Sequence, residues 1–275
     1  MSIYTYHEMM ITCVAREIKD GEVVVMGQGL PMIACLIAKL THAPNCVLLT
    51  EAGMVDIVPI KGLYTVGDPT AVEGFSFFCD LFDVNTILLN RGLVDVAFLG
   101  AAQVDKYGNV NSTVIGDYFN PRMRITGCGG APEFAGYAKR TVITVVGGRF
   151  VEKLDYFSTP GYLDGGESRY EAGFPPGSGP SAVITLKGVF RFDEESKEMY
   201  LDCVYPGVSL DDVRREIPWD LKVSENLRVA DPPPKEYLEA IRRLAPEYCL
   251  PSKSRLERRS RSIMKQLLKL SLIHI

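Results

Sequence analysis

The sequence predicts an α/β protein with an open, mainly parallel sheet and flanking helices. Two observations carry this. Glu22-Val23-Val24-Val25-Met26 is an apolar strand, a helical pattern through Ile33, Leu36, Ile37 and Leu40 follows, and Val47-Leu48-Leu49-Thr50 is a second apolar strand. Strand, helix, strand at this rhythm is a βαβ unit, which makes parallel pairing the default. In addition, 275 residues with 47% apolar and 23% charged side chains can bury a large core, which excludes extensive disorder.

The elements follow in order. Thr5-Tyr6-His7-Glu8 has capping-box spacing, and Ile11, Val14, Ala15 and Ile18 recur at helical intervals, so a helix is expected from Thr5 to about Lys19. Asp20-Gly21 stops it. Gly27-Gln28-Gly29-Leu30-Pro31 is a glycine turn, with proline placed to open the second helix. His42-Ala43-Pro44-Asn45 ends that helix. Further strands are expected at Thr86–Asn90, Val94–Leu99, Thr141–Val146 and Ala182–Leu186. Val189–Phe192 and Met199–Cys203 read as a hairpin around a charged turn. Asp211–Glu216 starts a short helix, and a final helix spans Lys235 to Leu244 after three prolines. The Gly- and Pro-rich stretch from Gly147 to Pro180 reads as a long ordered loop, a kind that is more often functional than connecting.

Residues 1–250 are expected to form one domain, and 251–275 a basic tail that is disordered or non-native. The formal net charge is −4, but the tail carries seven basic residues and one acid, which leaves the body at −10. Such a body argues against nucleic-acid binding. Seven cysteines without CxxC spacing, the lack of a signal-like N-terminus and the lack of a long apolar run point to a cytoplasmic protein with no membrane span. With His7, His42 and His274 as its only histidines, the sequence offers few candidates for a metal centre or a Ser-His-Asp triad, and no metal is expected.

Four segments could carry chemistry. Gly27-x-Gly29 between strand and helix, with Glu51 at the tip of the next strand, has the outline of a dinucleotide site. The third glycine of that fingerprint falls on Met32, however, so a nicotinamide-dependent oxidoreductase is the weaker reading. Glu51 sits where open α/β sheets place their ligand crevice, and its neighbours Ala52 and Gly53 leave it open to a bulky substrate. A carboxylate there can attack an activated acyl carbon; it can equally cap the following turn. Gly127-Cys128-Gly129-Gly130-Ala131 can aim backbone N–H groups at an anion or form a tight turn. Cys128 is read as a small residue and not as the nucleophile. Finally, Gln103, Asn109 and Asn111 in Gly100–Ser112 supply amide groups suited to an amide-rich ligand, or to turns around Tyr107-Gly108-Asn109.

Taken together, Gly27-Gln28-Gly29-Leu30-Pro31, Glu51-Ala52-Gly53-Met54, Gly100-Ala101-Ala102-Gln103-Val104-Asp105, Tyr107–Thr113 and Gly127–Ala131 resemble the β subunit of family I CoA-transferases, within them the glutaconate CoA-transferase branch. Ile115-Gly116-Asp117-Tyr118, Ser158–Tyr162 and the hairpin at 188–203 continue the resemblance, which covers roughly residues 5–245. It implies a fold similar to the ribose-phosphate isomerase and CoA-transferase group. It also implies that Glu51 matches the family's nucleophilic glutamate and that a covalent glutamyl-CoA intermediate forms. Gly27, Gly29, Gln103, Asn111, Gly129 and Gly130 would bind the acyl-CoA or its oxyanion. Coenzyme A would enter as a thioester substrate, with no permanently bound cofactor, and an α-type subunit would complete a hetero-oligomer. Ala52 stands where the family more usually has Asn or Ser. The same superfamily includes a hydrolase acting on ring-opened steroid CoA thioesters, and a non-catalytic partner subunit is a further alternative.

Overall fold

A computed structural model describes residues 4–249; the tail expected at 251–275 lies outside the described residues. The strands in chain order are β1 (Val23–Val25), β2 (Val47–Leu49), β3 (Met54–Val55), β4 (Phe77–Phe78) and β5 (Val96–Gly100), then β6 (Gln103–Val104), β7 (Val110–Asn111), β8 (Val114–Gly116), β9 (Pro121–Arg124) and β10 (Arg140–Val145). They continue with β11 (Arg149–Phe150), β12 (Pro180–Thr185), β13 (Gly188–Phe192), β14 (Met199–Val204) and β15 (Lys222–Val229). The helices are α1 (Tyr6–Ala15), α2 (Leu30–Leu40), α3 (Ala131–Tyr137), α4 (Ser168–Glu171), α5 (Leu210–Arg214) and α6 (Lys235–Leu244).

Among the described residues, a ten-stranded sheet runs β15-β14-β13-β12-β10-β5-β1-β2-β3-β4. Its middle, β12-β10-β5-β1-β2, is wholly parallel. Antiparallel pairs extend it on both sides, through β13 and β14 at one end and β3 and β4 at the other. Strand side chains alternate between faces, and the core splits accordingly. Val24, Val96 and Phe98 join Met9, Ile33, Leu36 and Ile241 on the α1, α2, α6 side. Val25, Ala97 and Leu99 join Val84, Leu89, Phe134 and Ala135 on the other. Burial on both faces explains why the central strands are continuous apolar runs.

The capping box at Thr5 is present: Glu8 N–H donates to Thr5 Oγ1 at 3.1 Å and Thr5 N–H to Glu8 Oε2 at 2.7 Å. The buried Glu8 carboxylate also pairs with Arg242 at 2.8 Å, tying α1 to α6. The helix is shorter than the sequence pattern suggests, with Arg16 as its C-cap. The larger difference lies at Thr86–Asn90, expected as a strand. There the chain forms a wide helix, Asp83–Leu89. A short apolar run cannot separate strand from helix by periodicity. Local bonds decide: Asp80 Oδ1 accepts from Asp83 N–H at 2.8 Å, and Asn85 Nδ2 and Thr86 Oγ1 donate to the carbonyls of Leu81 and Phe82.

The stretch 147–180 is held by one arginine. Buried Arg169 donates to the carbonyl oxygens of Gly161, Ala135 and Gly136 and to Ser178 Oγ. Burial pulls its pKa down to about 10, so it remains a cation at neutral pH.

Candidate active site

A cleft of about 680 Å³ opens over the carboxyl ends of β1, β2 and β5. Glu51 lies in its wall, on the turn that leaves β2. Thr50, fully buried, shapes that turn. Its N–H donates to the Met54 carbonyl, its carbonyl accepts from Gly53 N–H, and its hydroxyl accepts from Met54 N–H at 3.2 Å. Gly53 has φ +97, and a Cβ there would fall 1.7 Å from the Cys79 carbonyl oxygen. Glycine is therefore required both by the backbone conformation and by the close approach.

Across the cleft runs the glycine-rich segment 127–130. Gly130 N–H donates to Glu51 Oε1 at 2.9 Å. A side chain at Gly130 would place its Cβ 2.9 Å from Glu51 Oε1 and 3.1 Å from the Phe134 ring. Gly129, at φ +53, faces the same carboxylate, with its Cβ position 3.6 Å from Oε1. The carboxylate is thus gripped on one oxygen by a backbone donor and is half-buried. Gly27 closes the floor: a Cβ on it would sit 2.0 Å from the Phe98 carbonyl oxygen. Gly29, at φ +89, serves as N-cap of α2 and is not part of the lining.

Glu51, Gly27 and Gly129 therefore meet in one cleft, with Gly130 bonded to the Glu51 carboxylate. Gln103 and Asn111 do not line the cleft. Both are buried, and they hold each other: Asn111 Nδ2 donates to Gln103 Oε1 at 2.7 Å and to the Val114 carbonyl at 2.6 Å. Gln103 Nε2 donates to Asp155 Oδ2 at 3.0 Å. Turn chemistry accounts for Asn109: its side-chain amide binds Asp105 Oδ2 and the Leu163 carbonyl, while its Oδ1 accepts from Gly161 and Leu163 N–H. Burial pushes the Asp105 carboxyl up, despite its bonds from Asn109 and Tyr107.

The cleft also contains residues that sequence reasoning did not single out for it. Met123 and Ile125, from the hairpin of β8 and β9 and the chain after it, and Val66 supply an apolar side. Ser112 lines the wall with its carbonyl bonded to Gly127 N–H, yet its Oγ is buried with no hydrogen-bond partner among the described residues. The only signal for it was its place at the end of the amide-rich segment. Cys128 is exposed on the glycine-rich segment. No described helix is long and apolar enough to cross a membrane.

The family model of coenzyme A transferases matches residues 7–216. The β subunit of glutaconate CoA-transferase from Acidaminococcus fermentans is 40% identical over 242 residues, 84% of this chain and 89% of that protein. The β subunit of 3-oxoadipate CoA-transferase from Pseudomonas knackmussii is 37% identical over 246 residues, 89% of this chain and 94% of the relative. Among solved structures, the A. fermentans glutaconate coenzyme A-transferase superposes with a TM-score of 0.81 at 37% identity, covering 89% of this chain and 96% of that one. The decarboxylase AibA/AibB superposes at 0.75 with 27% identity, covering 88% and 95%.

Proposed function

The chain belongs to the coenzyme A transferase family, and we propose that it is the β subunit of a two-subunit enzyme that moves CoA between an acyl-CoA and a free carboxylate through a covalent glutamyl intermediate on Glu51. The observation that carries this reading is the Glu51 carboxylate in the cleft wall, with Oε1 held by Gly130 N–H at 2.9 Å.

That bond orients the group and leaves Oε2 for attack. Oε2 adds to the thioester carbonyl and the C–S bond breaks, giving an acyl–glutamyl anhydride and CoA thiolate. The thiolate then adds to the glutamyl carbonyl carbon. The charge that develops on Oε1 already faces the Gly130 donor, which is what oxyanion stabilisation requires. Expulsion of the first carboxylate leaves a glutamyl-CoA thioester. An incoming carboxylate attacks that thioester, reforms an anhydride and releases thiolate. The thiolate takes the new acyl group and regenerates Glu51. The thioester energy is conserved, so the sequence of steps consumes no nucleotide. The anhydride must be shielded from water. The apolar side made by Met123, Ile125 and Val66 supports such shielding. Gly27 and Gly129 are assigned to close backbone contact with the acyl-CoA. Gly29 shapes the turn, and Gln103 with Asn111 braces the wall from behind.

The test uses the chain co-expressed with its α-type subunit. Incubation with acyl-CoA and no acceptor acid should add CoA, less water, to the intact mass of this chain. Glu51→Gln should abolish the adduct and the exchange while the complex remains assembled. An adduct on the Gln variant overturns the nucleophile. Equal acyl-CoA consumption with and without an acceptor points to a hydrolase.

A further inference from the structure

The surface near the nucleophile turn is unusually apolar. Phe77, Phe78, Leu81 and Phe82 are 52, 62, 56 and 67% exposed, four large apolar side chains within six residues. Ile87 on the adjoining helix is 45% exposed. Scattered exposed apolar residues are ordinary, but a contiguous group of this size marks an interaction surface.

Its place in the fold adds to this. β4 is the last strand of the ten-stranded sheet, so one edge of its backbone is unpaired within the described chain. Phe77 and Phe78 are successive strand residues and point to opposite faces. Both are bare, so neither face of the edge is covered. None of the usual edge protection, lysine or proline, occurs in Ser76-Phe77-Phe78-Cys79. The charges flanking the patch are of one sign: residues 71–83 contain Glu73, Asp80 and Asp83 and no basic residue.

The same segment touches the candidate active site. β4 pairs with β3, Phe78 opposite Met54. Cys79 N–H donates to the Gly53 carbonyl at 2.9 Å, and the Cys79 carbonyl packs where a Gly53 side chain would be. Whatever fixes β4 therefore fixes the turn that presents Glu51.

We propose that the β4 edge and the following turn, Phe77 to Phe82, form the docking surface for the α-type subunit, which meets it with an apolar centre rimmed by basic side chains, and that this docking sets the Glu51 turn. The inference rests on the two-subunit reading above and locates its interface. It makes assembly and nucleophile geometry one event: the chain alone carries Glu51 on an edge that no second layer holds.

The experiment compares wild type, Glu51→Gln and the double variant Phe78→Glu/Phe82→Glu, each co-expressed with the α-type subunit. Both phenylalanines are exposed, so the double variant should melt within a few degrees of wild type. Its affinity for the α-type subunit should fall at least 100-fold, with a matching loss of exchange. Glu51→Gln should bind like wild type, which separates a failed interface from a failed nucleophile. As a second measurement, hydrogen exchange on the wild-type chain should show amides of 76–89 and of the 50–54 turn slowed by the α-type subunit. Unchanged affinity in the double variant overturns the proposal, and so does absence of protection at 76–89. A homodimer dissolved by the substitutions, with affinity for the α-type subunit intact, overturns it as well.

Discussion

The two ends of the ten-stranded sheet are built on opposite principles. At the β13–β15 end the strands are five to eight residues long and are locked by charge. Arg191 pairs with Glu17 at 2.6 Å, reaching from β13 to the chain after α1, and Arg228 pairs with Asp202 at 2.6 Å across β14 and β15. Glu198 bridges Lys106 and Lys222 at 2.8 and 2.7 Å. Beneath lies a cluster of Phe190, Met199, Leu201 and Val213. At the β3–β4 end the strands have two residues each, and the aromatic side chains stand in solvent. The chain thus completes its own structure at one end. The other end, which carries Glu51, is left to be completed from outside.

Four changes put that contrast at risk. The largest effect is expected at the self-sufficient end. Phe190→Ala removes a ring 1% exposed and packed on Phe150 at a centroid distance of 5.2 Å. A loss of about 3–5 kcal/mol is expected in denaturant titration. A loss under about 1 kcal/mol would show that this end is less tightly packed than described.

Next, at the chemical end, Gly130→Ala drives a methyl against Glu51 Oε1 and Phe134. Exchange by the assembled enzyme should drop roughly 100-fold, through kcat more than KM, with a small change in melting temperature. Cys128→Ser, earlier on the same segment, should keep most activity. A Cys128→Ser enzyme as impaired as Glu51→Gln would return the thiol to consideration.

A smaller effect is expected at Ser112. A buried hydroxyl without a partner costs about 1–3 kcal/mol, so Ser112→Ala should leave stability unchanged or raise it. If the hydroxyl turns to meet the acyl oxygen, kcat should still fall about 10-fold. Parallel losses of stability and activity would make the residue purely structural.

The smallest effect is in pH. Hydrogen bonds from Lys106 and Lys222 hold the Glu198 carboxyl below its ordinary 4.5. A group whose folded pKa is depressed contributes stability that is complete above the unfolded value and is lost as pH falls through the folded one. Glu198→Gln should therefore cost roughly a few tenths of a kcal/mol at about pH 7. The difference from wild type should shrink below about pH 4.5. A difference that persists into acid would assign the effect to packing.

Most of the inner architecture was legible because it is written in local pattern. The βαβ start, the capping box at Thr5, the proline opening α2 and the hairpin around Asp193–Lys197 each rest on neighbours within a few residues. The candidate nucleophile was legible too, since a strand tip followed by small residues is a sequence feature. β15 was not: Lys222-Val223-Ser224-Glu225-Asn226-Leu227-Arg228-Val229 is a polar run with exposed positions on both faces, and only pairing with β14 makes it a strand. Thr86–Asn90 departs from its expected strand for a related reason, because so short an apolar run is the same string in a helix or a strand.

Fold class, the parallel core and the order of the chemical segments can all be read along the chain, because hydrophobic period, caps and glycine placement act over short distances. How the polar groups of those segments are spent is a matter of tertiary structure alone. Gln103 and Asn111 are close in the chain and bond to each other behind the wall, whereas Gly130 is far along the chain from Glu51 and donates to its carboxylate. Which donor meets which acceptor depends on how strands are stacked in the sheet, and that ordering is set by burial over the whole core.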